Sequence, residues 1–125
     1  MPNPTPPSVI EICRKLIAIP SINPFQTQHM PDGQVAIAGT EQDILDFCQA
    51  FLRQYGWSVT RQACGAGREN LIAEHGSGPQ TCILYGHVDT VEVKEGWTRN
   101  EALTPRLGQE YVDGQQESVL YGLGS

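Results

Sequence analysis

Apolar residues recur at helical spacing twice in the first half of the chain, and the period shortens after that. Val9, Ile12, Cys13, Leu16 and Ile17 fall on one stripe and predict a helix. Ser8 stands before the stripe as an N-cap, and Glu11 three positions on completes a capping box. Pro20 ends the element, since proline has no amide hydrogen and clashes with the preceding turn. A second, wider face holds Ile44, Leu45, Phe47, Cys48, Phe51, Leu52 and Tyr55, with Thr40 and Asp43 as its cap and Gly56 as its stop. Between the two, residues 20–39 carry Pro20, Pro24, Pro31 and Gly33 and read as a loop, long enough to suit a functional role. Residues 1–7, rich in proline, read as a disordered lead-in, and residues 8–125 as one folded unit.

From Trp57 onward the pattern is that of strands. Trp57 and Val59 alternate with Ser58 and Thr60, which predicts a half-buried strand. Asn70-Leu71-Ile72-Ala73 predicts a second, beyond a turn at Cys64-Gly65-Ala66-Gly67. Gly76-Ser77-Gly78-Pro79 turns the chain again. Cys82-Ile83-Leu84-Tyr85 is then a continuous apolar run, the pattern of a strand covered on both faces. A weak hairpin joins Glu110-Tyr111-Val112 to Val119-Leu120-Tyr121 across Asp113-Gly114. The order predicts an α/β fold, with two N-terminal helices packed on a mixed β-sheet.

Composition narrows the function classes. The 125 residues are 39% hydrophobic and 18% charged, as expected of one globular domain or part of one. A formal net charge of -6 argues against nucleic acid or an anionic membrane as partner. No stretch approaches the ~18 apolar residues of a membrane span, and the proline-rich start lacks the basic flank of a signal peptide. A cytoplasmic location is therefore expected. The four cysteines form no CxxC pair; Cys13, Cys48 and Cys82 read as buried thiols and Cys64 as an exposed one. His29 and His75 read as solvated surface residues.

Chemistry concentrates where the apolar run ends, at Gly86-His87-Val88-Asp89-Thr90. In extended geometry His87 and Asp89 point to the same side. Open α/β sheets place their sites at such a carboxyl end. A neutral imidazole ligates zinc through one ring nitrogen and commonly donates its other to a carboxylate, which fixes the tautomer. The same pair could instead be the His-Asp part of a serine triad, although no GxSxG elbow accompanies it. It could also be a structural cap at a strand end. Gly122-Leu123-Gly124 and Gly65-Ala66-Gly67 are weak dinucleotide-binding signals, each lacking the third glycine and a following helix.

The stretch Gly86-His87-Val88-Asp89-Thr90-Val91 resembles the di-zinc peptidase and deacylase family that includes acetylornithine deacetylase, succinyl-diaminopimelate desuccinylase, aminoacylase and glutamate carboxypeptidase. It matches the family's GHxDTV at every fixed position. Glu95-Gly96-Trp97-Thr98, the Asp113-Gly114 hairpin and Leu120-Tyr121-Gly122-Leu123-Gly124-Ser125 follow in the family's order. Glu92 stands where many members have proline, and Leu123 where many have arginine. The resemblance runs over nearly all of the chain from Ser8.

The resemblance implies the incomplete start of a zinc-peptidase-like catalytic domain. It implies two metal ions, usually zinc, that activate water for cleavage of N-acyl amino acids or short peptides, with a glutamate as general base. Cobalt or manganese are alternatives that a single histidine accepts about equally. His87 would be a terminal metal ligand, and Asp89, the catalytic support, would orient its ring. The family's bridging Asp, its Glu-Glu pair and its last His fall beyond these 125 residues, as does its dimerisation domain. The chain alone is therefore expected to bind zinc weakly and to hydrolyse nothing. The competing expectation is a truncated or excised piece with no enzymatic role of its own. An incomplete sheet is also expected to leave edges and apolar surface open.

Overall fold

A computed structural model describes residues 5–23, 27–29, 35–37, 40–65, 68–93 and 97–124, and for 27–29 and 35–37 the backbone alone. Helix α1 spans Val9–Ile17. Its capping box forms as predicted: Ser8 Oγ accepts from the Glu11 amide at 3.3 Å, and the Glu11 carboxylate accepts from the Ser8 amide at 2.8 Å. Of the α1 stripe only Ile17 is fully buried; Ile12, Cys13 and Leu16 are half-buried and Val9 is exposed.

Residues 20–39 are not loop throughout. Strands β1 (Thr27–His29) and β2 (Val35–Ile37) pair antiparallel, with His29 opposite Val35. The His29 side chain lies outside the described residues. Helix α2 spans Gln42–Gln54 and starts one residue later than a Thr40 cap would place it. Glu41 occupies the cap position, while Thr40 Oγ1 accepts from the Gln42 amide at 3.2 Å. Glu41 is instead drawn into a two-pronged ion pair with Arg68, at 2.9 and 2.5 Å, which its near-complete burial makes necessary.

The wide face of α2 packs on the antiparallel hairpin of β3 (Ser58–Gly65) and β4 (Arg68–Glu74). Ile44, Leu45 and Val59 form the buried core there. Arg61 ties the layers together, donating to Asp46 of α2 at 2.7 Å, Gln42 of α2 at 2.8 Å and Glu69 of β4 at 2.6 Å. Those carboxylates hold the Arg61 guanidinium above its ordinary range, led by the Asp46 hydrogen bond.

A short helix α3 (Arg99–Ala102) leads into the hairpin of β5 (Arg106–Val112) and β6 (Gln115–Tyr121). Val112 pairs with Gln115 around Asp113-Gly114, whose φ values of 50° and 81° meet the demand of a type I′ turn. The hairpin is longer than its sequence predicts, and the two predicted segments do not face each other: Glu110, Tyr111 and Val112 pair with Glu117, Gln116 and Gln115, and Val119, Leu120 and Tyr121 with Gly108, Leu107 and Arg106, because a two-residue turn at Asp113-Gly114 sets the register. Its end docks on α1: Gly122 approaches Ile17 so closely that a Cβ there would collide with the Ile17 side chain.

The α/β class holds. Among the described residues, however, the sheet is three separate two-stranded antiparallel ladders plus one parallel bridge, Ile22 to Thr90. Among the described residues the predicted central strand at 82–85 does not form. Residues 82–85 join no ladder, and Ile83, Leu84 and Tyr85 are 85%, 91% and 98% exposed. Cys82 is exposed rather than buried for the same reason. A strand buried on both faces takes its hydrogen bonds and its cover from sequence-distant neighbours, and the described residues supply neither to this run.

Candidate active site

The chain becomes anchored again immediately after the exposed run. The Thr90 amide donates to Ser21 O and the Asn23 amide donates to Thr90 O, both at 2.9 Å, a short parallel ladder between residues 21–23 and 89–91. Ser21 is buried to 2% exposure. This bridge fixes the backbone on which His87 and Asp89 sit, so the segment after the first helix helps to build the site.

His87 and Asp89 meet as their two-residue spacing predicts. His87 Nδ1 lies 3.0 Å from Asp89 Oδ1 and 3.1 Å from Asp89 O. An ionised carboxylate and a backbone carbonyl can only accept, so Nδ1 must carry the ring proton. In the neutral ring the lone pair is then on Nε2. The His87 side chain is 79% exposed and Asp89 only 23%, so the carboxylate is sheltered and the far ring nitrogen faces solvent.

The Asp89 carboxylate has a second partner that the sequence does not announce. Asn23 Nδ2 donates to Asp89 Oδ2 at 2.7 Å, across 66 positions. Partial burial works to raise the Asp89 carboxyl. The Asn23 hydrogen bond, the His87 charge and its own backbone amide outweigh that, and the group titrates below the usual aspartate range.

Beside the pair lies a cavity of 720 Å³. Ile17, Ile44, Val88, Leu120 and Leu123 supply apolar wall, and His87, Asp89 and Asn23 the polar rim. Thr90 Oγ1 is buried in the same region without a hydrogen-bond partner. Leu123 is held by its amide donating to Ala102 O at 2.8 Å, which brings the Gly122-Leu123-Gly124 segment to the cavity edge.

The arrangement fits the first half of a metal site. The tautomer is correct for ligation through Nε2, and the carboxylate behind the ring is already in place. Among the described residues no group of three or more His, Cys, Asp or Glu side chains converges to complete a ligand set. His75 is exposed, and its ring lies tilted by 31° against Trp57 with the centroids 5.1 Å apart. Among the described residues no serine hydrogen-bonds to His87, whose two bonds there are to Asp89.

The acetylornithine deacetylases of Photorhabdus laumondii, Erwinia tasmaniensis and Edwardsiella ictaluri are 32%, 30% and 33% identical to the chain over 122 residues, 95% of its length. The chain resembles the N-terminal part of acetylornithine deacetylases. It spans 27% of the length of these relatives. No family model and no solved structure matches it. The likeness to acetylornithine deacetylases extends over almost the whole chain, the Gly86-His87-Val88-Asp89-Thr90-Val91 segment included. No helix among the described residues is long and apolar enough to cross a membrane.

Proposed function

We propose that these residues are the N-terminal portion of a metal-dependent amidohydrolase, in which His87 ligates a metal ion and Asp89 orients the ring. The observation that carries the reading is the His87–Asp89 pair, with Nδ1 occupied at 3.0 Å and the other ring nitrogen open to solvent. Zinc is the metal assigned, with cobalt or manganese the alternatives that imidazole also accepts. When bound, it supplies Lewis acidity and a lowered pKa for water. The chain's own residues hold a proton at Nδ1, keep the Nε2 lone pair outward and anchor the segment through Thr90. The substrate class is N-acyl amino acids or short peptides in the cytoplasm. The relatives' name points within that class to acetylornithine. The apolar walls of the cavity suit the packing of further apolar structure better than they suit a charged amino acid.

A second reading is a piece with no enzymatic role of its own. It is favoured by the lack of a three-ligand cluster among the described residues. Two measurements separate the readings. In a zinc titration of the 125-residue chain, His87→Ala abolishes the weak binding; unchanged stoichiometry rejects His87 as a ligand. The 125 residues alone, with metal added, show no amide hydrolysis, and measurable turnover would overturn that expectation. In a protein of the relatives' full length, Asp89→Ala lowers metal affinity or activity about 10- to 100-fold, the usual effect of removing a carboxylate behind a ligating histidine.

A further inference from the structure

We propose that Asn23 is a positioning residue: its side-chain amide clamps Asp89 Oδ2, so that Oδ1 faces His87 Nδ1 and the ring presents Nε2 outward. The inference rests on the metal-ligand reading of His87 and extends it to a residue from a separate segment.

The geometry is specific. A carboxylate can only accept, so the amide must turn Nδ2 toward Asp89, and the 2.7 Å separation is that of a charge-assisted hydrogen bond. The Asp89 carboxylate then has one oxygen on Asn23 and the other on His87 at 3.0 Å, which removes its freedom to rotate. Without the clamp either oxygen could face the ring or turn to water. Asn23 is itself held by its backbone, through the amide bond to Thr90 O at 2.9 Å. The register of the 21–23 and 89–91 segments therefore delivers the amide to the carboxylate. The bridge uses main-chain atoms only, so shortening the Asn23 side chain leaves it intact.

The His87 side chain is 79% exposed, and among the described residues only Asp89 hydrogen-bonds its ring. Its orientation comes from Asp89, through Oδ1 at 3.0 Å and the backbone carbonyl at 3.1 Å, and the carboxylate's share depends on Asn23. Loss of the amide lets the tautomers mix and makes the ligand less prepared for a metal. A purely structural asparagine would leave the tautomer as it was.

The test uses the 125-residue chain and variants Asn23→Ala, Asn23→Leu, Asp89→Ala and His87→Ala. The nitrogen chemical shifts of the His87 ring, taken where the imidazole is neutral, report the tautomer. Zinc titration reports affinity. The unaltered chain shows Nδ1 protonated and Nε2 bare. Asn23→Ala and Asn23→Leu move the shifts toward a tautomer mixture, in the direction of Asp89→Ala, and weaken zinc binding up to about 10-fold, the lower end for an outer partner of a metal site. Two non-donor variants guard against one that fails to fold. Ring shifts that respond to Asp89→Ala but not to either Asn23 variant overturn the inference and leave the metal reading standing. Ring shifts that respond to Asn23 while His87→Ala leaves zinc binding unchanged uphold the positioning role and sink the metal reading.

Discussion

Replacing Gly122 by alanine perturbs one contact cleanly. The added Cβ would stand 3.1 Å from Ile17 Cδ1 and 3.4 Å from Ile17 Cβ, and nearer still to Cγ2. Carbon atoms rest at about 3.5–4.0 Å, so the methyl group drives into a side chain that is only 5% exposed and has little room to retreat. Gly122 does not have a positive φ, so the cost is steric and not conformational. Overpacking of this kind costs about 1–3 kcal/mol. Ile17→Ala alone opens a cavity and costs about 2–5 kcal/mol. In the double variant the alanine methyl enters the space that Ile17 vacates. Gly122→Ala should then cost less than about 0.5 kcal/mol, a coupling well above the error of additive pairs. Urea unfolding with a constant slope measures all four corners of the cycle. As a thermal readout, each kcal/mol lost lowers the midpoint by about 4 °C in a chain of this size. Equal costs of Gly122→Ala in both backgrounds would refute the close approach and, with it, the docking of the β6 end on α1.

Other consequences follow from single features. Arg61→Met removes two hydrogen bonds to α2 and two to Glu69 within the β3–β4 hairpin from a side chain that is 16% exposed, and should cost about 1.5–3 kcal/mol, the range for bonds to charged groups; an effect under about 0.5 kcal/mol in urea unfolding would mean the network is idle. The Ser8 hydrogen bonds hold the Glu11 carboxyl below its ordinary pKa of 4.5, and the Thr98 bonds do the same for Glu101. Both groups therefore add stability above pH 4.5 that is lost as the pH falls through their lowered folded values, and Glu11→Gln with Glu101→Gln should flatten that acid limb in pH-dependent unfolding. Thr90→Val replaces a buried hydroxyl that has no partner and should be neutral or stabilising, by up to about 1 kcal/mol, since no hydrogen bond is lost; a clear loss in thermal unfolding would reveal a partner for Oγ1. Leu84→Lys changes a side chain that is 91% exposed and should shift stability by less than about 0.5 kcal/mol while lowering light scattering at high concentration.

What could be read from the sequence was what depends on near neighbours. The Ser8–Glu11 box and the Asp113-Gly114 turn are closed within a few residues, and both formed where the pattern put them. Thr40 misled by one residue, because Glu41 is pulled away from solvent by Arg68, a partner 27 positions distant. The run at residues 82–85 was read from composition as doubly covered, but cover is supplied by other segments, and apolar composition cannot report whether they are present. The His87–Asp89 contact was legible because a two-residue spacing in extended backbone brings both side chains to one side. Asn23 was not: it stands in a proline-punctuated stretch, and its link to Asp89 arises from a parallel bridge that leaves no periodic trace. The Arg61 network lay closer to reach, since Arg61 and Glu69 are diagonal neighbours across a hairpin, two positions from the directly opposed pair Arg61–Leu71.

The uncovered run next to His87 also bears on how the chain behaves in company. Residues 82–85 combine unpaired backbone groups with isoleucine, leucine and tyrosine side chains almost wholly in water, and this is the material from which intermolecular strands assemble. Such pairing grows with protein concentration, so dilution, more than cooling, should keep the isolated chain monodisperse. A strand captured from another molecule would also lie directly before Gly86, within reach of the histidine. On the proposed metal-ligand role of His87, aggregation and loss of zinc binding should advance together in a stored sample.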